Sequence, residues 1–260
     1  ILCDLFDVES GAPIEVSPRQ VLRRQVERAA ALGYTTMLGS EIEFFVFKDT
    51  YAEAFEKGYR DLRNHSPWVQ DYHVLQTTMD EYLIGEIRRC LEAAGVPVEF
   101  SKGEAGRGQH EINLDYTTAV EMADRNHVYK NAAKEIAALN GRSITFMAKY
   151  SMDEVGSSCH LHSSVWSADG SESLMWDDAA PHHMSGTMRG WLGGIIATGA
   201  TLLESDLVGE GGGIEVDGHG TAILTESCWV NRNRNPGWSR ADIEAELKHH
   251  LGLRRITVTK

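Results

Sequence analysis

The sequence predicts a mixed fold of the α/β or α+β kind, on three observations. Apolar residues recur at three- and four-residue spacing in stretches bounded by helix start and stop signals. Runs rich in β-branched and aromatic residues, with polar and apolar positions alternating, stand between them. No segment repeats, so the elements alternate along one ordinary globular chain. The chain has 260 residues, 42% hydrophobic and 24% charged, enough for one large domain or two ordinary ones. Its most apolar run, residues 191–203, is broken by glycines and falls short of the roughly 18–20 residues a membrane span requires. A net charge of −13 argues against a general nucleic-acid surface. Neither a membrane nor a nucleic acid is therefore an expected partner. The charge is uneven, with +4 on residues 231–260 and −17 on the rest.

The elements follow in order. Ser17, Pro18 and Gln20 announce a helix over 17–32 with a capping box, Leu22, Val26, Ala29 and Ala30 form its apolar stripe, and Gly33 closes it. A strand follows at 35–47. Residues 48–75, with several aromatics and Pro67, read as a surface excursion. Met79, Leu83, Ile87, Cys90 and Leu91 predict a helix over 78–94 that Gly95 ends. Strands are expected at 96–101 and 109–114, a long helix at 117–139 stopped by Asn140-Gly141, and strands at 143–148 and 159–166. Ala168-Asp169-Gly170 makes a turn before a helix at 185–203. The glycines from Gly209 to Gly213 make the most flexible stretch, and Ser239 with Asp242 caps a helix at 240–250. Four cysteines (Cys3, Cys90, Cys159, Cys228) form no CxxC pair and no signal-peptide pattern opens the chain, so reduced thiols and a cytoplasmic location are expected. The first residue is Ile1, and part of the native N-terminus is expected to be missing from the sequence.

Three strands carry an unusual pattern. Glu41 and Glu43 share one face of their strand, with Ile42, Phe44 and Val46 on the other. Gln109, Glu111 and Asn113 share a face, and so do His160, His162 and Ser164, opposite Cys159, Leu161 and Ser163. Paired like charges on a strand repel unless something neutralises them, and carboxylate oxygens joined by an imidazole suit Mg²⁺ or Mn²⁺. Solvated sheet faces and surface histidines are the plain alternative, and an HxH pair also occurs in metal hydrolases.

The stretches 39-GSEIEFF-45, 103-GEAGRGQHEINL-114, 126-NHVYKNAAKEIAALNGRSITFMAK-149 and 156-GSSCHLHSS-164 closely resemble glutamine synthetase and its γ-glutamyl amine (polyamine) ligase relatives, over residues 1–204. The resemblance implies an α+β fold, a catalytic half-barrel of antiparallel strands backed by helices, in a homo-oligomeric ring. It implies two divalent metals, Mg²⁺ or Mn²⁺, with ATP, glutamate and ammonia or an amine as substrates. Glu41 and His160 would bind the metal at the nucleotide's phosphates, and Glu43, Glu104 and Glu111 the other, with Glu111 also on the glutamate side. Gly156 would contact glutamate through its backbone. His162 would stand catalytically beside the transferred phosphate, and Glu99, His162 and Ser164 on the nucleotide side. The γ-phosphoryl group would pass to the substrate carboxylate before the amine displaces phosphate.

A second resemblance begins at residue 206. The stretches 210-EGGGIEVDGHGTAILTESCWVNRNRNP-236 and 239-SRADIEAELKHHLGL-253 resemble agmatine deiminase and imply an α/β fragment over 205–260, with Glu210 as a carboxylate for a guanidinium substrate. Cys228 does not stand where that family has its nucleophile, and His182-His183 and His249-His250 read as surface pairs. The chain is thus expected to be a mosaic joined near 204–206. It would lack the ligase family's small N-terminal domain and the arginine-bearing segment after the 185–203 helix. Low or no turnover is expected from it, and exposed apolar strand edges. Guanidine hydrolysis, or a catalytically dead fusion, are the alternatives to ligase activity.

Overall fold

The computed structural model describes residues 2–197, 207, 214–216, 220–230, 232, 235–251 and 253–259. The chain divides into two units, Ile1–Gly190 and Trp191–Lys260. The joint at 204–206, the glycine stretch 209–213 and the last residues of the 185–203 helix lie outside the described residues.

The first unit is a sheet backed by helices. Helix α1 (Pro18–Ala31) leads into β1 (Tyr34–Phe47), followed by α2 (Tyr51–Glu56), α3 (Val74–Ala93), β2 (Val98–Gly103), β3 (Gln109–Thr118) and α4 (Ala119–Leu139). Two more strands, β4 (Ser143–Thr145) and β5 (Cys159–Ser167), complete the sheet before α5 (Gly186–Ala197). The order is β2-β3-β1-β4, with β5 also pairing β1, and every pairing is antiparallel. Of the α/β and α+β alternatives the structure is α+β, with the antiparallel sheet that the family resemblance implies.

Alternation along β1 decides which face is covered. Ile42, Phe44 and Val46 point into a core with Ile112 and Leu114 of β3, Ile144 of β4, Leu83, Ile84, Ile87 and Leu91 of α3, and Met122, Tyr129 and Ala133 of α4. At its centre Phe44, Tyr129 and Phe146 meet at ring distances of 5.3–6.4 Å, tilted or edge-on, and the Tyr129 hydroxyl donates to the Ile42 carbonyl. The opposite face of β1 and β3 carries the polar residues.

Several expectations change. Ser17 precedes α1 without a side-chain cap, and Gln20 is buried instead of reaching back, so the capping box does not form. Helix α3 starts four residues early and its stripe is rotated. Met79 and Cys90 are exposed, while Asp80 and Ile84 face inward beside Leu83, Ile87 and Leu91. Residues 48–75 are no simple surface excursion. They contain α2, with a Thr50–Glu53 capping box, and they bury Asp49, Ser66 and Gln70. Asp49 accepts from Lys57 Nζ and the Arg63 amide. Asp80 accepts from His65, His110 and Gln70. Burial opposes the charge of Asp80, but those hydrogen bonds outweigh it and hold the carboxyl well below the usual carboxylate range. The strands predicted at 96–101 and 143–148 run over 98–103 and 143–145. On β5 the residues opposite the histidines are not covered, and Cys159 and Leu161 lie exposed on an edge strand.

In the second unit, β6 (Ile214–Val216) pairs antiparallel with β7 (Thr221–Thr225), which pairs parallel with β8 (Arg255–Thr259). Helices α6 (Glu226–Trp229) and α7 (Arg240–Leu251) accompany them, around Ala222, Leu224, Trp229, Ile243, Leu247 and Leu253. The Ser239–Asp242 capping box forms at the start of α7.

The rotated α3 stripe gives a direct test. Ile84→Ala should cost about 2–5 kcal/mol in equilibrium denaturation, as a buried aliphatic truncation does. Met79→Ala, at a half-exposed position, should cost less than about 1 kcal/mol. The reverse ranking would restore the stripe read from spacing.

Candidate active site

Pairing register assembles the site. Glu43 stands opposite Glu111 of β3, and Glu41 is flanked by Asn113 of β3 and His160 of β5. Cross-strand neighbours point to the same face, so three strands contribute to one polar surface. Glu104 enters from the turn between β2 and β3, where its amide donates to the Gln109 carbonyl at 2.9 Å. That turn depends on glycine. A Cβ on Gly106 would meet the Phe45 ring at 2.5 Å, and one on Gly108, where φ is +74, would meet backbone atoms of Val46, His65 and Ser66 at 3.1 Å.

Two groups of donors result. Ligand atoms of Glu41, Glu111 and His160 all lie within 4.8 Å of one another, and so do those of Glu43, Glu104 and Glu111. Glu111 belongs to both. Glu41 is gripped by two imidazoles, His160 Nδ1 at 3.1 Å and His162 Nε2 at 2.8 Å. Glu43 accepts from Gln109 Nε2 at 2.9 Å, from the Ser158 amide at 3.1 Å and from the Ser158 hydroxyl. Gln109 Nε2 also donates to the Gly156 carbonyl at 2.8 Å, which places Gly156 beside the second group. Lys102 Nζ lies 2.6 Å from Glu104 and 3.1 Å from Asp71.

The electrostatics report crowded negative charge. Burial, with Glu43 and Glu111 adding to it, pushes the Glu104 carboxyl up to about 7 against the opposing pull of Lys102. Burial also raises Glu111, with Glu41 and Glu43 contributing.

Of the residues singled out from the sequence, Glu41, Glu43, Glu104, Glu111, His160, His162 and Gly156 come together. Glu99 and Ser164 line an adjoining cavity of about 480 Å³ with Glu41, Asn113 and His162. Its wall includes Tyr116 and Trp166, stacked at 5.8 Å. Glu210 lies outside the described residues. Gln109, Ser158 and Lys102 were not singled out as site residues, although Gln109 shares the Glu111 face by simple alternation. Ser158 carries no signal of its own, because a loop brings it to Glu43.

Fold and site define a class: an α+β chain whose open antiparallel sheet bears a carboxylate and histidine face. Residues 15–204 match the family described as glutamine synthetase, catalytic domain. The chain belongs to the glutamine synthetase family, and its relatives are ligases of that type. It is 47% identical over 186 residues to the gamma-glutamylethanolamide synthetase GlnA4 of Streptomyces coelicolor, covering 72% of this chain and 39% of that protein. It is 36% identical over 165 residues to a glutamate–isopropylamine ligase of a Pseudomonas species, covering 64% of this chain and 36% of that one. The chain thus spans less than two-fifths of the length of these two relatives. Among solved structures, ligand-free GmaS superposes with a TM-score of 0.64 at 28% identity, covering 73% of this chain and 43% of that one. A GmaS/ADP complex matches with the same score and identity. Residues 170–260 match a second family, Porphyromonas-type peptidyl-arginine deiminase.

The raised Glu104 carboxyl makes a pH prediction. An acid whose folded-state pKa exceeds its ordinary 4.5 binds more protons when folded, so cation-free stability falls as pH rises from there through about 7. Glu104→Gln should flatten that slope in thermal melts and raise the cation-free Tm at about pH 8. A slope unchanged by the substitution would place the charge strain elsewhere.

Proposed function

We propose that the chain carries the core of an ATP-dependent ligase that phosphorylates the side-chain carboxylate of glutamate and transfers the γ-glutamyl group to an amine or ammonia. The observation that carries this reading is the pair of donor groups sharing Glu111. A single cation site would need one such group. Two adjacent ones match a reaction that brings a nucleotide's phosphates against a second anion.

The donors fit hard divalent cations. Carboxylate oxygens dominate, one imidazole is present, and the raised Glu104 and Glu111 carboxyls mark negative charge that Mg²⁺ or Mn²⁺ would neutralise. Glu41, Glu111 and His160 would hold the cation on the nucleotide side, and Glu43, Glu104 and Glu111 the one on the glutamate side. When bound, such cations screen phosphate oxygens and align them for transfer.

The chain's own groups do the rest. The Tyr116–Trp166 wall, Glu99 and Ser164 suit the cavity to a nucleotide. His162, paired through Nε2 with Glu41 and largely exposed, lines that cavity, and as an imidazolium its other ring nitrogen can donate a hydrogen bond to a phosphoryl group in flight. The Gly156 backbone, fixed by Gln109, lies where an amino-acid substrate would approach the second donor group. The amine then attacks the acyl phosphate, phosphate leaves, and the amide remains. An amine acceptor is favoured over ammonia by the names of two relatives, an ethanolamide synthetase and an isopropylamine ligase. ATP as co-substrate is supported by the solved ADP complex of GmaS.

On this reading residues 1–204 form the ligase part and 205–260 a deiminase-like part. A ring-shaped homo-oligomer would complete the site, as the family resemblance implies. A cytoplasmic setting suits four cysteines spaced far apart in the sequence, and among the described residues no helix is long and apolar enough to cross a membrane.

Binding tests the reading directly. Calorimetry should show ATP binding that requires Mn²⁺ and that Glu41→Ala weakens by at least about tenfold, the scale expected when a ligand to a metal-bound phosphate is lost. ATP affinity indifferent to both Mn²⁺ and Glu41 would overturn it.

A further inference from the structure

The loop between β4 and β5 delivers Gly156 and Ser158 to the site, yet no regular structure holds it. What holds it is a cluster further along β1, around Phe45 and Phe47, which follow Glu41 and Glu43 on the same strand face. Asn64, paired to Phe47 in an isolated bridge beyond β1, uses both ends of its amide. Its Oδ1 accepts from the Tyr150 hydroxyl at 3.1 Å, and its Nδ2 donates to Glu154 Oε1 at 3.1 Å and to the Arg107 carbonyl at 2.8 Å. One side chain therefore grips the loop at two points four residues apart. Arg107 Nη2 donates to the same Glu154 oxygen at 2.9 Å, and Lys149 Nζ donates to the Glu154 carbonyl at 2.7 Å. The Tyr150 ring packs edge-on against Phe45 and Phe47, at 4.6 and 5.0 Å. Glu154 is mostly buried for a charged side chain, at 13% exposure, although Arg107 is half exposed.

Two residues past Glu154 the loop meets the site. The Gly156 carbonyl accepts from Gln109, the Ser157 amide bonds the Ala148 carbonyl, and Ser158 holds Glu43 through its amide and hydroxyl. We infer that Asn64 and Glu154 are positioning residues that clamp the β4–β5 loop and thereby set the orientation of Glu43 and the place of Gly156. The inference rests on the proposed ligase reading for its consequence, but the clamp itself stands on the contacts above. Neither residue touches the donor groups, so each acts through its neighbours, the loop first and, through Arg107, the turn between β2 and β3. Groups that hold a metal ligand in place, as Gln109 and Ser158 hold Glu43, typically change metal affinity by about 10–100-fold when lost, and the clamp fixes Ser158.

The test uses the full 260-residue chain with Asn64→Ala, Glu154→Ala and Glu154→Gln. Glutamine keeps an acceptor for Asn64 and Arg107, so Glu154→Gln should behave as wild type. In the two alanine variants, hydrogen exchange at the Ser157 and Ser158 amides should quicken by about tenfold or more, while core amides of β1 and β3 keep their protection. Mn²⁺ affinity, read by electron paramagnetic resonance, should fall by about tenfold in the same variants and recover in Glu154→Gln. Unchanged loop exchange and unchanged Mn²⁺ affinity in both alanine variants would overturn the inference, as would a Glu154→Gln defect equal to that of Glu154→Ala. Failure of the wild-type chain to bind Mn²⁺ would count against the proposed function instead, and loop exchange would then decide the clamp alone.

Discussion

The register of β1 between β3 and β5 is the constraint on which the site depends. Side chains alternate along a strand, so a slip of one residue would send Glu41 and Glu43 into the core and Phe44 into water. The buried set of Ile42, Phe44 and Val46 against α3 and α4 makes that slip prohibitive. The hydrophobic face therefore does more than stabilise the sheet. It forces like charges together on the other side, where Glu43 meets Glu111 directly across the strands.

Such crowding is unfavourable by itself, and neighbouring donors offset part of it. Lys102 pairs with Glu104, two imidazoles pair with Glu41, and Gln109 and Ser158 donate to Glu43. Burial, with Glu43 and Glu111 adding to it, outweighs Lys102 and displaces the Glu104 carboxyl to about 7. Hydrogen bonds around the site fix the elements that carry it. Asp80 ties α3 to β3 through His110, the residue between Gln109 and Glu111, and Asn64 ties the β4–β5 loop to the end of β1.

Much of this was legible in the chain. The alternation around Glu41, Glu111 and His160 marked strands with one polar face, and residues Asn140-Gly141 and Ala168-Asp169-Gly170 marked where elements turn. Ser239 and Asp242 cap a helix as local chemistry requires, because a capping box needs only residues three apart. Where local rules failed, tertiary packing overrode them. Gln20 gave up its capping role to be buried, and α3 turned Asp80 rather than Met79 inward because His65, His110 and Gln70 satisfy that carboxylate. The 48–75 stretch looked like surface because its buried polar residues, Asp49 and Gln70, are satisfied by side chains and backbone eight to fourteen residues away, at no spacing that a helix or strand period would reveal.

By itself, then, the sequence determined the long helices and the main strands of the first unit, the faces on which carboxylates and histidines lie, and the family to which residues 15–204 belong. These follow from periodicity and from residue types in a fixed order. Only the tertiary structure decided that Glu111 is shared by both donor groups, that Ser158 and Gln109 hold Glu43, and that Asn64 fastens a loop ninety residues further along the chain. Each of those depends on strand pairing or loop closure, and the contacts they create have no period in the sequence from which to be read.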